Sequence, residues 1–371
     1  MNFAFNEDQD RLRDSAARFL RDRIDLGRLT AQGNRPDTTY DQTLWNEIVA
    51  LGWTGLIVPE EYGGLGMSLV DWVVITEELG RSLAPCPYLG NYAGTLALLR
   101  AGSAEQKETL LPQIIGGTVQ TALAWSESEQ TEDPLAVTAT VRNGRLTGSK
   151  RYVFDADTAT HLIVTARDAS GSLGFYLVER DHGVSIEPVP WMDVTRRVCT
   201  VTFAEAAAEP MPVAFDAAWS WVADRVLLAL SSENAGGAES ILRQTVAYAN
   251  QRIQFGKPIA SYQAIKHKCA DMMMKVESAK ALTYYCAWAL AEGADEGPLA
   301  ASMAKSFTSD TYRFCTSEAI QIHGAIGFTW EMTVHLYFKR ARANAVMFGN
   351  PAAHRDRVIE LVTTASLVAA A

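Results

Sequence analysis

Two short runs of this 371-residue chain have the residue types and spacing for anion chemistry. The first is Arg252-Ile253-Gln254-Phe255-Gly256-Lys257-Pro258, followed by Gln263-Ala264-Ile265-Lys266-His267. A guanidinium at the end of a long helix, next to a glycine-containing turn, can make paired hydrogen bonds to pyrophosphate oxygens. The same arginine could instead complement the negative end of its helix. The second run is Gln321-Ile322-His323-Gly324-Ala325-Ile326-Gly327-Phe328. Glycines at 324 and 327 let backbone approach a ligand where a side chain would prevent it, or they simply cap a helix and turn the chain. His323, taken alone, reads as a satisfied interior histidine.

The elements that must hold these runs follow from periodicity. Residues 1–117 read as helical: Leu12, Ala16, Phe19 and Leu20 recur at helical spacing. The segment Leu44–Leu51 repeats the pattern and closes on Gly52, and a further helix around Trp72–Leu79 is expected to end at Gly80. Residues 118–218 change texture. Val137–Val141 alternates and is β-branched, Asn143-Gly144 signals a hairpin, and 162–166, 174–178 and 199–203 read as strands. From 219 to 371 the helical period returns in long runs over 219–250, 262–292 and 298–323, interrupted only by Gly236-Gly237. Helices, then a β domain, then helices is an unusual order.

Composition narrows the class. Hydrophobic residues make up 48% and charged residues 20%, the balance of a globular chain. The net charge of −10, from 33 Lys+Arg against 43 Asp+Glu, argues against nucleic acid as a partner. Five scattered cysteines show no metal spacing and suit a reducing compartment. With no signal-like N-terminus and no apolar run of spanning length, a cytoplasmic protein is expected.

Together the two runs resemble the flavin-binding halves of the acyl-CoA dehydrogenase family. Phe3, Phe5, Glu7-Asp8-Gln9, Val58-Pro59-Glu60-Glu61-Tyr62-Gly63-Gly64-Leu65-Gly66 and Glu77-Glu78-Leu79-Gly80 carry the resemblance through the N-terminal third. It implies an α+β fold: an N-terminal helical domain, a middle β domain and a C-terminal four-helix bundle. It also implies FAD at a subunit interface, with Arg252, Gln254, Phe255, Gln263, Gln321 and Gly324 as flavin-binding residues. The implied reaction is α,β-dehydrogenation of an acyl-CoA, with electron-transfer flavoprotein as acceptor.

Three departures from the family pattern fall on one side of the implied site. The Thr-Glu-Pro and glycine-rich flavin loop is here Ser126-Glu127-Ser128-Glu129-Gln130-Thr131-Glu132-Asp133, which reads as a solvated acidic turn. The Trp-x-Thr/Ser strand is here Tyr152-Val153-Phe154. The usual glutamate, twenty-seven positions past Gln321, falls on Phe348. The alternative base position used by some members falls on Val226, leaving Asp224 and Glu233 as the nearby carboxylate candidates. Kept adenosine-side features and lost ring-side ones resemble one subunit of the heteromeric, steroid side-chain type of acyl-CoA dehydrogenase. The run Trp330-Glu331 and His335-Leu336-Tyr337 is similar to that branch as well. The expected assembly is an α2β2 heterotetramer in lipid or steroid degradation, in which a homologous partner supplies the base. The alternatives are a self-sufficient homo-oligomer with a relocated carboxylate, a non-catalytic structural subunit, and a flavin monooxygenase on the same fold.

Overall fold

The computed structural model describes residues 6–32, 41–128 and 133–369. Phe3, Phe5 and Glu129–Glu132 therefore lie outside the described residues. Six helices come first: α1 (Glu7–Arg23), α2 (Leu26–Gln32), α3 (Gln42–Ala50), α4 (Leu69–Ser82), α5 (Tyr88–Ala101) and α6 (Ala104–Ile115). Their starts are set locally. Asn6, Ser68 and Ser103 each accept from the backbone three residues on, and the residue there bonds back.

The middle section holds β1 (Thr121–Ala124), β2 (Thr140–Arg142), β3 (Arg145–Phe154), β4 (His161–Arg167), β5 (Leu173–Glu179), β6 (Val184–Pro188), β7 (Val198–Ala207) and β8 (Glu209–Pro210). They form one sheet in the order β6-β7-β3-β2-β4-β5-β8, with β1 parallel to β4. The Asn143-Gly144 turn has φ of 51° and 72°, the left-handed pair that a two-residue hairpin requires. The strand expected over 137–141 is shorter, for a specific reason. The backbone N–H groups of Thr138 and Ala139 donate to the Glu127 carboxylate instead of to a neighbouring strand.

The last section is helical: α7 (Phe215–Gln251), a two-residue ribbon of β9 (Ile253–Gln254) and β10 (Lys257–Pro258), α8 (Gln263–Ala291), α9 (Gly297–His323), α10 (Val334–Val346) and α11 (Pro351–Ala369). This is the expected α+β architecture. One helix end differs. α4 runs past Gly80 to Ser82 and stops at Leu83, which takes the left-handed conformation at φ 51°. Gly80 is there for packing: a Cβ would run into the backbone of Glu233, and one on Gly236 would run into Glu77. The α4–α7 crossing is thus close enough to need glycine on both helices. The main core fills the space among the N-terminal helices, α7 and one face of the sheet, so the three sections share their apolar interior.

The β section is also bolted to the bundle by charge. Arg196 donates twice to Glu233 on α7, at 2.6 and 2.8 Å, and once to Asn344 on α10. Arg340 on α10 pairs with Asp193 in the loop before β7. All four charged groups are buried, two of each sign.

Candidate functional site

The two runs singled out in the sequence meet at one end of the bundle. α7 stops at Gln251, and Arg252 turns extended with its N–H still on the Tyr248 carbonyl, 2.8 Å. The β9–β10 ribbon then folds back through Phe255 and Gly256, at φ 52° and 80°, and Ile259 closes it by donating to the Arg252 carbonyl at 2.8 Å. Gln263 opens α8 directly afterwards. From the other side α9 ends at His323. Gly324 follows at φ 68° and ψ −149°, a region open to glycine but not to L side chains. What joins the two is an aromatic contact that the sequence did not reveal. Tyr248 stacks on His323 with ring centroids 4.1 Å apart, and its hydroxyl donates to the His323 carbonyl. His323 is buried, holds the Ala319 carbonyl through Nδ1, and burial lowers its pKa, so it stays neutral.

Arg252, Gln254, Phe255, Gln263, Gln321 and Gly324 are all solvent-exposed, Phe255 at 93%. Among the described residues neither the Arg252 guanidinium nor the Gln321 amide has a side-chain partner. An exposed guanidinium with no side-chain partner among the described residues is open to an anion from outside the chain's own interior.

The ring-side features gather at a different corner. Trp125, Ser126, Tyr152, Trp191 and Phe348 wall a cavity of about 460 Å³. Tyr152 sits at φ 56° on an irregular stretch of β3. The Trp191 indole N–H is shielded from solvent and has no hydrogen-bond partner. Glu127 does not face this space freely. It takes the ammonium of fully buried Lys150 at 2.7 Å and the hydroxyl of Thr138 at 2.5 Å. Burial lowers Lys150 to about 8, an effect that Glu127 opposes.

Position 348 is held firmly, though its side chain cannot take a proton. Phe348 and Gly349 have φ of 52° and 104°. Lys305, fully buried on α9, donates to the Gly349 carbonyl at 2.9 Å and the Ala345 carbonyl at 3.4 Å. His354 on α11 donates Nε2–H to the Phe348 carbonyl at 2.9 Å. Burial, then the Lys305 charge, pushes His354 down to about 4, so it is neutral. The Phe348 ring lies 5.1 Å from Trp125, 6.4 Å from Phe154 and 6.5 Å from Trp219. Lys305, His354 and Trp219 went unnoticed in the sequence, because nothing local marks residues so far apart as neighbours.

The two carboxylate candidates are committed elsewhere. Asp224 is buried and accepts from Arg357 at 2.7 Å; burial raises its pKa against that pull. Glu233 is the acid of the buried pair with Arg196. Neither lines the cavity beside Phe348, and Val226 lies in the core.

The fold is that of a flavin-dependent dehydrogenase. The N-terminal-domain family model of the acyl-CoA dehydrogenases matches residues 6–118, and the C-terminal-domain model matches residues 214–362. The chain belongs to the acyl-CoA dehydrogenase family, whose members are oxidoreductases acting on the CH–CH bond of acyl-CoA with FAD as cofactor.

Among relatives, the acyl-CoA dehydrogenase IpdE2 of Mycolicibacterium smegmatis is 34% identical over 313 residues, 84% of this chain and 85% of that one. The IpdE2 of Mycobacterium tuberculosis is 34% identical over 316 residues, 85% of each. Among solved structures, the Tcur3481–Tcur3483 steroid ACAD superposes with a TM-score of 0.87 at 28% identity, over 97% of this chain and 99% of that chain. The ChsE4–ChsE5 complex from Mycobacterium tuberculosis shares the fold, with a TM-score of 0.85 at 23% identity over 98% and 99%. No helix among the described residues is long and apolar enough to cross a membrane.

The residues of the first corner are of types that would fit part of an FAD molecule. Arg252, with no side-chain partner among the described residues, and Gly324, where a Cβ would meet nothing, would suit its diphosphate, and exposed Phe255 and Ile253 would offer it apolar surface. FAD, when bound, supplies the hydride acceptor.

Proposed function

We propose that this chain is one subunit of a heteromeric FAD-dependent acyl-CoA dehydrogenase. The reaction is α,β-dehydrogenation of an acyl-CoA thioester with a bulky acyl group, a steroid side chain or one similar. Arg252, Gln254, Phe255, Gln263, Gln321 and Gly324 hold the adenosine and pyrophosphate side of an interfacial FAD. A homologous partner, in an α2β2 assembly, supplies the carboxylate that takes the α-proton. Electron-transfer flavoprotein is the acceptor.

The observation that carries this reading is the contrast at position 348. Lys305 and His354 hold the loop by its carbonyls, yet the side chain is phenylalanine and the two carboxylate candidates, Asp224 and Glu233, are held in ion pairs. A general base contributes about 10²- to 10⁴-fold to a proton transfer, and on this reading the partner chain supplies it. The names of the relatives support the steroid direction. The test is turnover by this chain co-purified with a homologous subunit. A steroid side-chain CoA should be oxidised with a kcat/KM well above that for butyryl-CoA, with dye or electron-transfer flavoprotein as acceptor. Equal turnover by this chain alone would overturn the reading.

A further inference from the structure

Tyr248 lies outside both runs, yet it holds them together. It stands in the last turn of α7, and its carbonyl takes the Arg252 N–H at 2.8 Å. Any residue could make that backbone bond; what the side chain adds is an anchor. Helix ends fray unless something ties them down. In this turn Asn250 and Gln251 are exposed and Ala249 is small, so the half-buried Tyr248 supplies the long side chain that reaches α9.

There it grips the peptide from which the second run departs. The phenol hydroxyl donates to the His323 carbonyl at 3.3 Å. That carbonyl and the Gly324 N–H belong to one planar peptide unit. The bond therefore fixes the plane that Gly324 leaves at φ 68° and ψ −149°.

His323 is the seat of the contact. Its ring lies 4.1 Å from that of Tyr248, with the planes 21° apart. The imidazole is held in turn by the Ala319 carbonyl, 2.7 Å from Nδ1. Gly327 leaves room for it: a Cβ there would come 3.0 Å from the His323 Cβ and 3.2 Å from the Ile320 carbonyl. The second glycine of the run thus serves packing. The first, Gly324, where a Cβ would meet nothing, is the one left open.

Arg252 and Gly324 accordingly leave the fold from two helix ends that one side chain ties to each other. A guanidinium fork makes paired bonds to phosphate oxygens only when it is aimed at them, and a binding constellation tolerates displacements of roughly 0.5 Å.

We propose that Tyr248 is a positioning residue for the adenosine diphosphate half of FAD, acting through His323 to set the spacing between the Arg252 guanidinium and the Gly324 backbone. The proposal rests on the FAD reading above and deepens it. It gives His323 the part of a fixed seat for Tyr248.

The experiment titrates the complex, co-purified with a homologous subunit, with FAD and with ADP as its competitor. ADP carries the diphosphate without the flavin ring. Tyr248→Phe keeps the stack and loses the hydroxyl; Tyr248→Leu loses both. FAD binding should weaken about three- to tenfold in the first and about ten- to a hundredfold in the second, with the same fold-loss for ADP. In an Arg252→Ala background Tyr248→Leu should cost about threefold or less, since one of the groups it positions is gone. Its effect on the melting temperature should be the same in both backgrounds, which separates positioning from plain stability. Should Tyr248→Leu fail to fold, the same comparison is read from Tyr248→Phe. Unchanged FAD affinity, a loss seen with FAD and absent with ADP, or an equal loss in both backgrounds overturns the proposal. An unsubstituted complex that binds neither FAD nor ADP overturns the FAD reading, and this proposal with it.

Discussion

The two ends of this molecule have kept opposite things. At the bundle end the side chains proposed to hold FAD are present and stand open: among the described residues the exposed Arg252 and Gln321 have no side-chain partner. At the 348 corner the surroundings are present and the functional side chain is missing. Two buried groups still grip the loop, around a phenylalanine. A protein that had drifted out of function would be expected to erode at both ends. A held loop without a base at 348, and an exposed arginine and glutamine without partners, are what the proposed division of labour between chains would leave in this one.

The sharpest way to break this contrast is at Glu233. If it is a structural ion, Glu233→Ala should cost about 3–5 kcal/mol of stability, because Arg196 is left buried and unpaired. Thermal unfolding of the complex reads this directly. Were Glu233 the base, the variant would fold normally and lose turnover.

Next in size is Arg252→Ala. The guanidinium is exposed and unpaired, so melting temperature should barely move. Loss of a paired, charge-assisted contact of about 2–3 kcal/mol should weaken FAD binding by the complex roughly 30- to 150-fold, as fluorescence titration would show. Arg252→Lys should recover only part, since an ammonium lacks the fork.

A smaller effect is expected from pH. Asp155 on the turn after β3 accepts from the Gly90 N–H at 3.1 Å and so caps α5 from another section of the chain. Complete burial raises its carboxyl to about 7, against the pull of Arg196. The folded state therefore holds a proton that the unfolded chain releases near pH 4. Its contribution is full at low pH and is lost as pH rises through about 7. Between pH 6 and pH 8 unfolding should become easier by roughly 1 kcal/mol, and Asp155→Asn should flatten that slope.

The smallest effect is assigned to Phe348→Leu, which should leave kcat of the complex within about twofold, because the side chain is packing and not chemistry. A kcat loss of 10²-fold or more would put Phe348 in the machinery and dissolve the contrast.

Much of this could be read from the residues. The three long helices α7, α8 and α9 announce themselves by period, and Asn143-Gly144 by its turn chemistry. β1 did not: its four residues are all buried, and a short buried strand shows no alternation. Gly80 was misread because a glycine that lets two helices touch looks the same in sequence as one that ends a helix. The Glu127 side chain shortened β2 by capturing backbone N–H groups, a competition no strand propensity records.

For the site, the two runs around Arg252 and Gln321 could be singled out because each is contiguous. Their meeting through Tyr248 and His323 was not, nor was the cluster of Trp125, Trp219 and Phe348, whose members are brought together only by the packing of the β section on the bundle.

The central claim is tested most directly by the flavin-to-chain ratio. The protein purified alone should carry little or no FAD, and co-expression with a homologous subunit should restore about one FAD per two chains. About one FAD per chain in the protein purified alone would contradict the account and return the search for a base to this chain.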